Sequence, residues 1–176
     1  SDLSTSVSIN EKKKIYKYYR AKTFLFFNTI EFTQKKTFKK NNKNFIIFSG
    51  SYEYKPNAYS IDQLIKFIMP NLHKIEPDIK LFILGNENLE YTEPWLKFEK
   101  VSKNKYLNYL SNAIAIVIPS NESYGSKVKI IEALCYGTPV ITTKTGFTGI
   151  NIINKLQPSI ESNNRSIIKK IIKIKN

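Results

Sequence analysis

Four runs of uninterrupted apolar residues constrain this chain more than any other feature. They fall within residues 45–48, 80–84, 113–118 and 139–142. A strand with one face in water alternates apolar with polar side chains. A run without alternation needs both faces covered, as in a parallel sheet packed between helices. The segments between the runs carry the helical period instead. Ile61, Leu64, Ile65, Ile68, Leu72 and Ile75 share one helical face, as do Ile167, Ile168, Ile171 and Ile172. Strands that alternate with helices imply right-handed crossovers, so the fold class is α/β with a doubly wound parallel sheet.

Punctuation along the chain refines this. Pro70 lies inside the helical stretch ending near Ile75 and is expected to kink it or end it early. A shorter strand is expected around Trp95–Phe98, a short helix over 104–112, and a further helix from Ser126 to Tyr136. Gly137 would be the C′ residue of that last helix. The first 43 residues read differently. Residues 10–20 form a polar helix candidate with Asn10 as N-cap, and 23–27 an apolar strand. Residues 34–44 are nearly all Lys, Asn, Gln and Thr, the composition of a linker. The expected division is therefore 1–43 as a separate remnant plus linker, and 44–176 as the Rossmann-like domain.

Composition removes several classes of function. Hydrophobic residues make up 41% of the 176, which is ample for a core and excludes a disordered chain. No apolar run reaches the ~18 residues of a spanning helix, and the first residues lack the pattern of a signal peptide. A single cysteine, Cys135, cannot close an internal disulfide, and with one histidine, His73, a zinc cluster is excluded. Cys135 reads as a core thiol, His73 as solvated and Trp95 as packing. The net charge of +14 raises nucleic acid as a partner, but all basic residues except Arg20 and Arg165 are lysines, scattered apart from Lys12–Lys14, the 35–43 stretch and the C-terminal helix. Arginine supplies most bidentate phosphate and base-edge contacts, so a solvated basic surface is the favoured reading over nucleic acid. The terminal Ile/Lys helix reads as packing against protein, with peripheral contact to an anionic membrane as the alternative.

In an open parallel sheet, ligands sit beyond the carboxyl ends of the strands. The loops there carry Ser49-Gly50-Ser51, Gly85-Asn86, 119–126 and Thr145-Gly146. Gly125 and Ser126 would open a helix whose positive end faces the crevice, with Lys129 and Glu132 three residues apart on one face. A cation and a carboxylate there suit a diphosphate and a sugar diol together; a surface ion pair is the alternative. No G-x-G-x-x-G follows the first strand, which disfavours the dinucleotide enzymes.

Residues 124–141 resemble the donor-site signature of the GT-B glycosyltransferases of the group 1, or family-four, type. That signature runs roughly G-[ST]-[RK]-x-K-x-x-E-A-x-x-x-G-x-P-V, against Gly125-Ser126-Lys127-Val128-Lys129-Ile130-Ile131-Glu132-Ala133-Leu134-Cys135-Tyr136-Gly137-Thr138-Pro139-Val140 here. Residues 48–51 with Pro56-Asn57 are similar to the opening of that family's C-terminal domain, and 146–150 to its following glycine loop. By this resemblance the chain is the C-terminal half of a GT-B architecture, and 1–43 closes a largely missing N-terminal Rossmann-like domain.

The resemblance implies a nucleotide-diphosphate sugar, of UDP or GDP type, as donor substrate. It implies no cofactor and no metal, and transfer with retention to a glycan, lipid or protein acceptor. Lys129 and Glu132 would be the catalytic pair, with Glu132 on the ribose and Lys127 and Lys129 on the diphosphate. Gly50, Ser51, Tyr124, Gly125, Ser126 and Gly146 would complete the donor site, and the base would lie near Gly85 and 98–101. The expected location is the cytoplasm, including the cytoplasmic face of a membrane. At Tyr124, many members carry a second glutamate eight residues before the first; the nearest carboxylate here is Glu122. A non-catalytic nucleotide-binding module is the rival that this departure leaves open.

Overall fold

The computed structural model describes residues 3–6, 9–25, 44–85, 91–122, 127–150 and 157–176. Near the start, strands β1 (Leu3–Ser6) and β2 (Lys22–Leu25) flank helix α1 (Ile9–Tyr19) and pair in parallel. The helix begins before Asn10, which therefore sits in its first turn rather than capping it. The expected strand over 23–27 is seen to Leu25; its remainder and residues 34–43 of the linker lie outside the described residues.

From residue 44 the chain builds one six-stranded parallel sheet. Its strands are β3 (Phe45–Ser49), β4 (Lys80–Leu84), β5 (Leu96–Glu99), β6 (Ile116–Ile118), β7 (Val140–Thr142) and β8 (Ser159–Ile160). Their order across the sheet is β5-β4-β3-β6-β7-β8. The chain thus winds outward from β3 to one edge, then returns to β6 and winds outward to the other. Counting from β3, this is the 3-2-1-4-5-6 order of doubly wound dinucleotide folds. The order reverses between β3 and β6, where Ile47 pairs with Ile116.

The uninterrupted runs lie where both faces are covered. Ile46, Ile47, Phe48, Leu81, Ile83, Ile116 and Val117 are fully buried, each such side chain contributing about 1.5–3 kcal/mol. The polar groups among them have partners: Thr138 Oγ1 donates to Leu110 O at 2.6 Å and Thr142 Oγ1 to Ile118 O at 2.9 Å. Unpaired, each would cost about 1–3 kcal/mol. β8 had no counterpart among the expected strands; its two residues are too short a run to show a period.

Pro70 does not end its helix. Helix α2 (Lys55–Gln63) passes into a π-helical turn, Leu64–Ile68, and continues as α3 (Met69–Ile75). A proline cannot donate its amide and its ring crowds the preceding turn. The wider turn, in which Met69 N–H donates to Leu64 O, admits the proline and keeps the chain helical. This continuation carries His73 beside Trp95, ring centroids 6.4 Å apart, and buries His73 Nδ1 without a hydrogen-bond partner. The expectation of a solvated histidine is therefore wrong for that nitrogen.

Helices α4 (Lys103–Asn112), α5 (Val128–Cys135), the single turn α6 (Lys144–Phe147) and α7 (Asn164–Lys175) complete the layers. α5 starts two residues later than expected and ends at Cys135; beyond its C-cap Tyr136, Gly137 has φ of 65° and its N–H donates to Leu134 O. In α7, Asn163 and Ser166 form a capping box. Its apolar face is taken up by the domain itself: Ile167, Ile168 and Ile171 are buried, and Lys175 pairs with Glu76 at 2.5 Å. Among the described residues, no helix is long and apolar enough to cross a membrane.

Candidate functional site

The crevice at the reversal point follows from topology. The chains leaving β3 and β6 turn to opposite faces of the sheet, so their loops part and leave a hollow beyond the strand ends. That hollow has a volume of about 490 Å³. Ser49 and Gly50 enter it from the end of β3, Ile118 and Ser120 from β6, and Tyr54, Pro56 and Asn57 from the start of α2. The first turns of α5 close it, contributing Lys127, Lys129, Ile130 and Glu132.

Lys127, at the N-cap of α5, and Lys129 sit beside the positive end of that helix. Glu132 follows one turn later on the same side. Lys129 does not pair with Glu132, the alternative that spacing left open. Its ammonium lies 4.6 Å from the centroid of the fully buried Phe48 ring and donates to Asn57 Oδ1 at 2.9 Å. Both partners are neutral, so they orient the cation without cancelling it. Burial, with a smaller repulsion from Lys127, pulls its pKa down from 10.5 to about 8, and burial lowers Lys127 as well. Two ammonium groups share the enclosure and, among the described residues, no carboxylate pairs with Lys129, an arrangement whose electrostatic complement is an anion carrying more than one charge.

Asn57 ties the site to the glycine loop. Its Nδ2 donates to Ser51 O at 3.0 Å while its Oδ1 accepts from Lys129. The amide plane packs so closely on Gly50 that a Cβ there would overlap it, and Gly50 has φ of 145°. Only glycine combines that backbone angle with that contact. The backbone amides of Gly50 and Gly146 are turned to protein acceptors, Leu84 O at 2.8 Å and Thr143 Oγ1 at 3.0 Å. Both residues line the hollow, but in this conformation as walls rather than as donors.

The structure therefore gathers Gly50, Lys127, Lys129, Glu132 and Gly146 from three distant stretches of sequence into one lining. Ser51 is adjacent but outside it. Tyr124, Gly125 and Ser126 lie outside the described residues. Glu122 is held in its own loop, where its carbonyl accepts from Ser120 Oγ at 2.9 Å. Gly85 and residues 98–101, expected near a base, are not part of the lining. Among them, the Glu99 carboxyl is held down at about 2 by Lys105 and Tyr109. Sequence reasoning missed Asn57 and Phe48 as supports of Lys129, and Tyr106 behind Glu132. Their roles depend on contacts between α2, α4, α5 and β3, which no local pattern encodes.

Comparison with known proteins places these observations in a family. The model described as glycosyl transferases, group 1, matches residues 43–174. An S. aureus TarM mutant, solved in complex with fondaparinux, alpha-GlcNAc-glycerol and UDP, superposes with a TM-score of 0.76 at 18% identity. The pneumococcal O-GlcNAc transferase GtfA, in complex with UDP and GlcNAc, does so with a TM-score of 0.62 at 16% identity. Each match covers 99% of this chain but 37% of the other, so the chain spans little more than a third of their length. At such identities the likeness establishes the fold, the Rossmann-like α/β half of the GT-B architecture. No curated protein sequence matches the chain.

Proposed function

This chain belongs to the group 1 glycosyl transferases, and we propose that the hollow between β3, β6, α2 and α5 binds the nucleotide-diphosphate sugar from which a hexosyl unit is transferred. The observation that carries this reading is the joint presence of Lys127, Lys129 and Glu132 in one lining at the sheet's reversal point. The two ammonium groups meet the diphosphate, and Glu132, an acceptor without a donor, takes the ribose hydroxyls. When the bond from the anomeric carbon to the diphosphate oxygen breaks, negative charge grows on the departing phosphate. Lys129 is already fixed beside that position by Phe48 and Asn57, so little reorganisation is needed as the charge develops.

Transfer proceeds with retention, to a glycan, lipid or protein acceptor, on the cytoplasmic side of a membrane or in the cytoplasm. The acceptor site belongs to a second, N-terminal domain of which residues 1–43 are the last part. What supports that division is that β1 and β2 pair with each other and with no strand of the six-stranded sheet among the described residues. UDP is the first nucleotide to test, since the two similar structures contain it. Calorimetry should show UDP or GDP binding to the chain, weakened by about fivefold to tenfold in Glu132→Ala through loss of its hydrogen bonds. No binding of any nucleoside diphosphate would contradict the proposal.

The low pKa of Lys129 gives a second expectation. A diphosphate binds the protonated form, which is depleted once pH exceeds about 8. Affinity is therefore close to full well below that pH and should fall about twentyfold between about pH 7.5 and about pH 9.5. An ordinary lysine would hold its proton across that interval, so Lys129→Met should flatten the profile there.

A further inference from the structure

Behind the wall that carries Glu132 lies a group the donor site does not yet use. The Tyr106 hydroxyl, from the first half of α4, is buried and, among the described residues, makes no hydrogen bond of normal geometry. Leaving such a group unpaired costs about 1–3 kcal/mol. The groups that act on it are the Glu132 carboxylate and the Ser49 hydroxyl, and both residues line the hollow. Burial first, and the Glu132 carboxylate second, hold the phenol protonated far above its ordinary range. It is thus a permanent donor beside a half-buried acceptor whose side chain has three rotatable bonds and, among the described residues, no ion-pair partner. Ser49 can donate to the phenol oxygen at the same time, giving a short chain of bonds into the hollow.

We propose that Tyr106 is a positioning residue for Glu132: its hydroxyl donates to one carboxylate oxygen and leaves the other aimed at the ligand's diol. This rests on the donor-site reading above and adds what sets the direction of its acidic group. A carboxylate held on one side presents one oxygen in a fixed direction, so the diol is recognised by geometry as well as by charge.

The test uses the full chain with the Glu132 carboxyl observed by selective 13C labelling at neutral pH. In Tyr106→Phe, which keeps the ring and its packing, the Glu132 carboxyl resonance should move. In Tyr59→Phe, an exposed control, it should not. Thermal unfolding should be unchanged or slightly later in Tyr106→Phe, because the deleted hydroxyl is replaced by an apolar edge. UDP affinity should fall about tenfold, as for a hydrogen bond to a charged group. The double variant with Glu132→Gln should bind no worse than Glu132→Gln alone, since the two act through one contact. Ser49→Ala, which removes only the outer donor, should move the Glu132 resonance less than Tyr106→Phe does. An unmoved Glu132 resonance in Tyr106→Phe, or fully additive losses in the double variant, would overturn the proposal. If the wild-type chain binds no nucleotide while the Glu132 resonance still responds to Tyr106→Phe, the donor-site reading fails and the positioning contact stands.

Discussion

Replacing Lys129 with methionine is expected to weaken UDP or GDP binding about a hundredfold, the largest loss of any single change in the site. Truncating one partner of a buried, hydrogen-bonded charge pair costs about 2–5 kcal/mol, at 1.4 kcal/mol per tenfold. Methionine preserves the unbranched shape over the Phe48 ring, so packing is nearly intact. Its effect on stability should have the opposite sign. Burial lowers the Lys129 pKa, which means that the unfolded chain holds that proton more firmly than the folded one. Folding at neutral pH is thus penalised by the cation, and that penalty fades as pH rises from about 8 through the unfolded value near 10.5. Lys129→Met removes it at all pH values. Denaturant unfolding beside calorimetry should find a chain that is at least as stable and nearly unable to bind. A loss of both together would mean that the lysine supports the fold rather than the ligand.

Gly50→Ala is expected to have the largest effect on stability among the residues around the hollow, about 2–4 kcal/mol by denaturant unfolding. A non-glycine residue at positive φ costs about 1–3 kcal/mol, and overpacking adds a similar amount. Here φ is 145°, and the new methyl group would meet the Asn57 amide. Asn57 is also the partner of Lys129, so whatever folded protein remains should bind nucleotide less well. Gly50→Ala with wild-type stability would mean that the loop relaxes freely and that Asn57 is not held as described.

These two positions show how unevenly the sequence displays its structure. The doubly wound sheet was legible because the central residues of β3, β4 and β6 lie in the covered middle of the sheet, where side chains on both faces are apolar. Lys129 and Glu132 were legible because an i,i+3 pair on a helix shares a face whatever surrounds it. The supports of Lys129 were not. Asn57 and Phe48 meet it only because α2 and α5 pack across the end of β3, a fact of tertiary structure. The π-helical turn before Pro70 shows the converse. Propensity alone ends a helix at such a proline, whereas Leu64, Ile68 and Leu72, all buried, hold the segment against the sheet on both sides of it. The glycines misled in a subtler way, since Gly50 and Gly146 do line the hollow while their amides serve Leu84 and Thr143.

The central claim is that one hollow places a diphosphate on Lys129 and a ribose on Glu132. A crystal structure of the chain with UDP tests it most directly. The expected result is phosphate oxygens within hydrogen-bond distance of Lys129 Nζ and ribose hydroxyls on the Glu132 carboxylate, with Asn57 and Phe48 unmoved. A nucleotide bound elsewhere on the chain, with Lys129 still bonded only to Asn57 and Glu132 free of ligand, would contradict it.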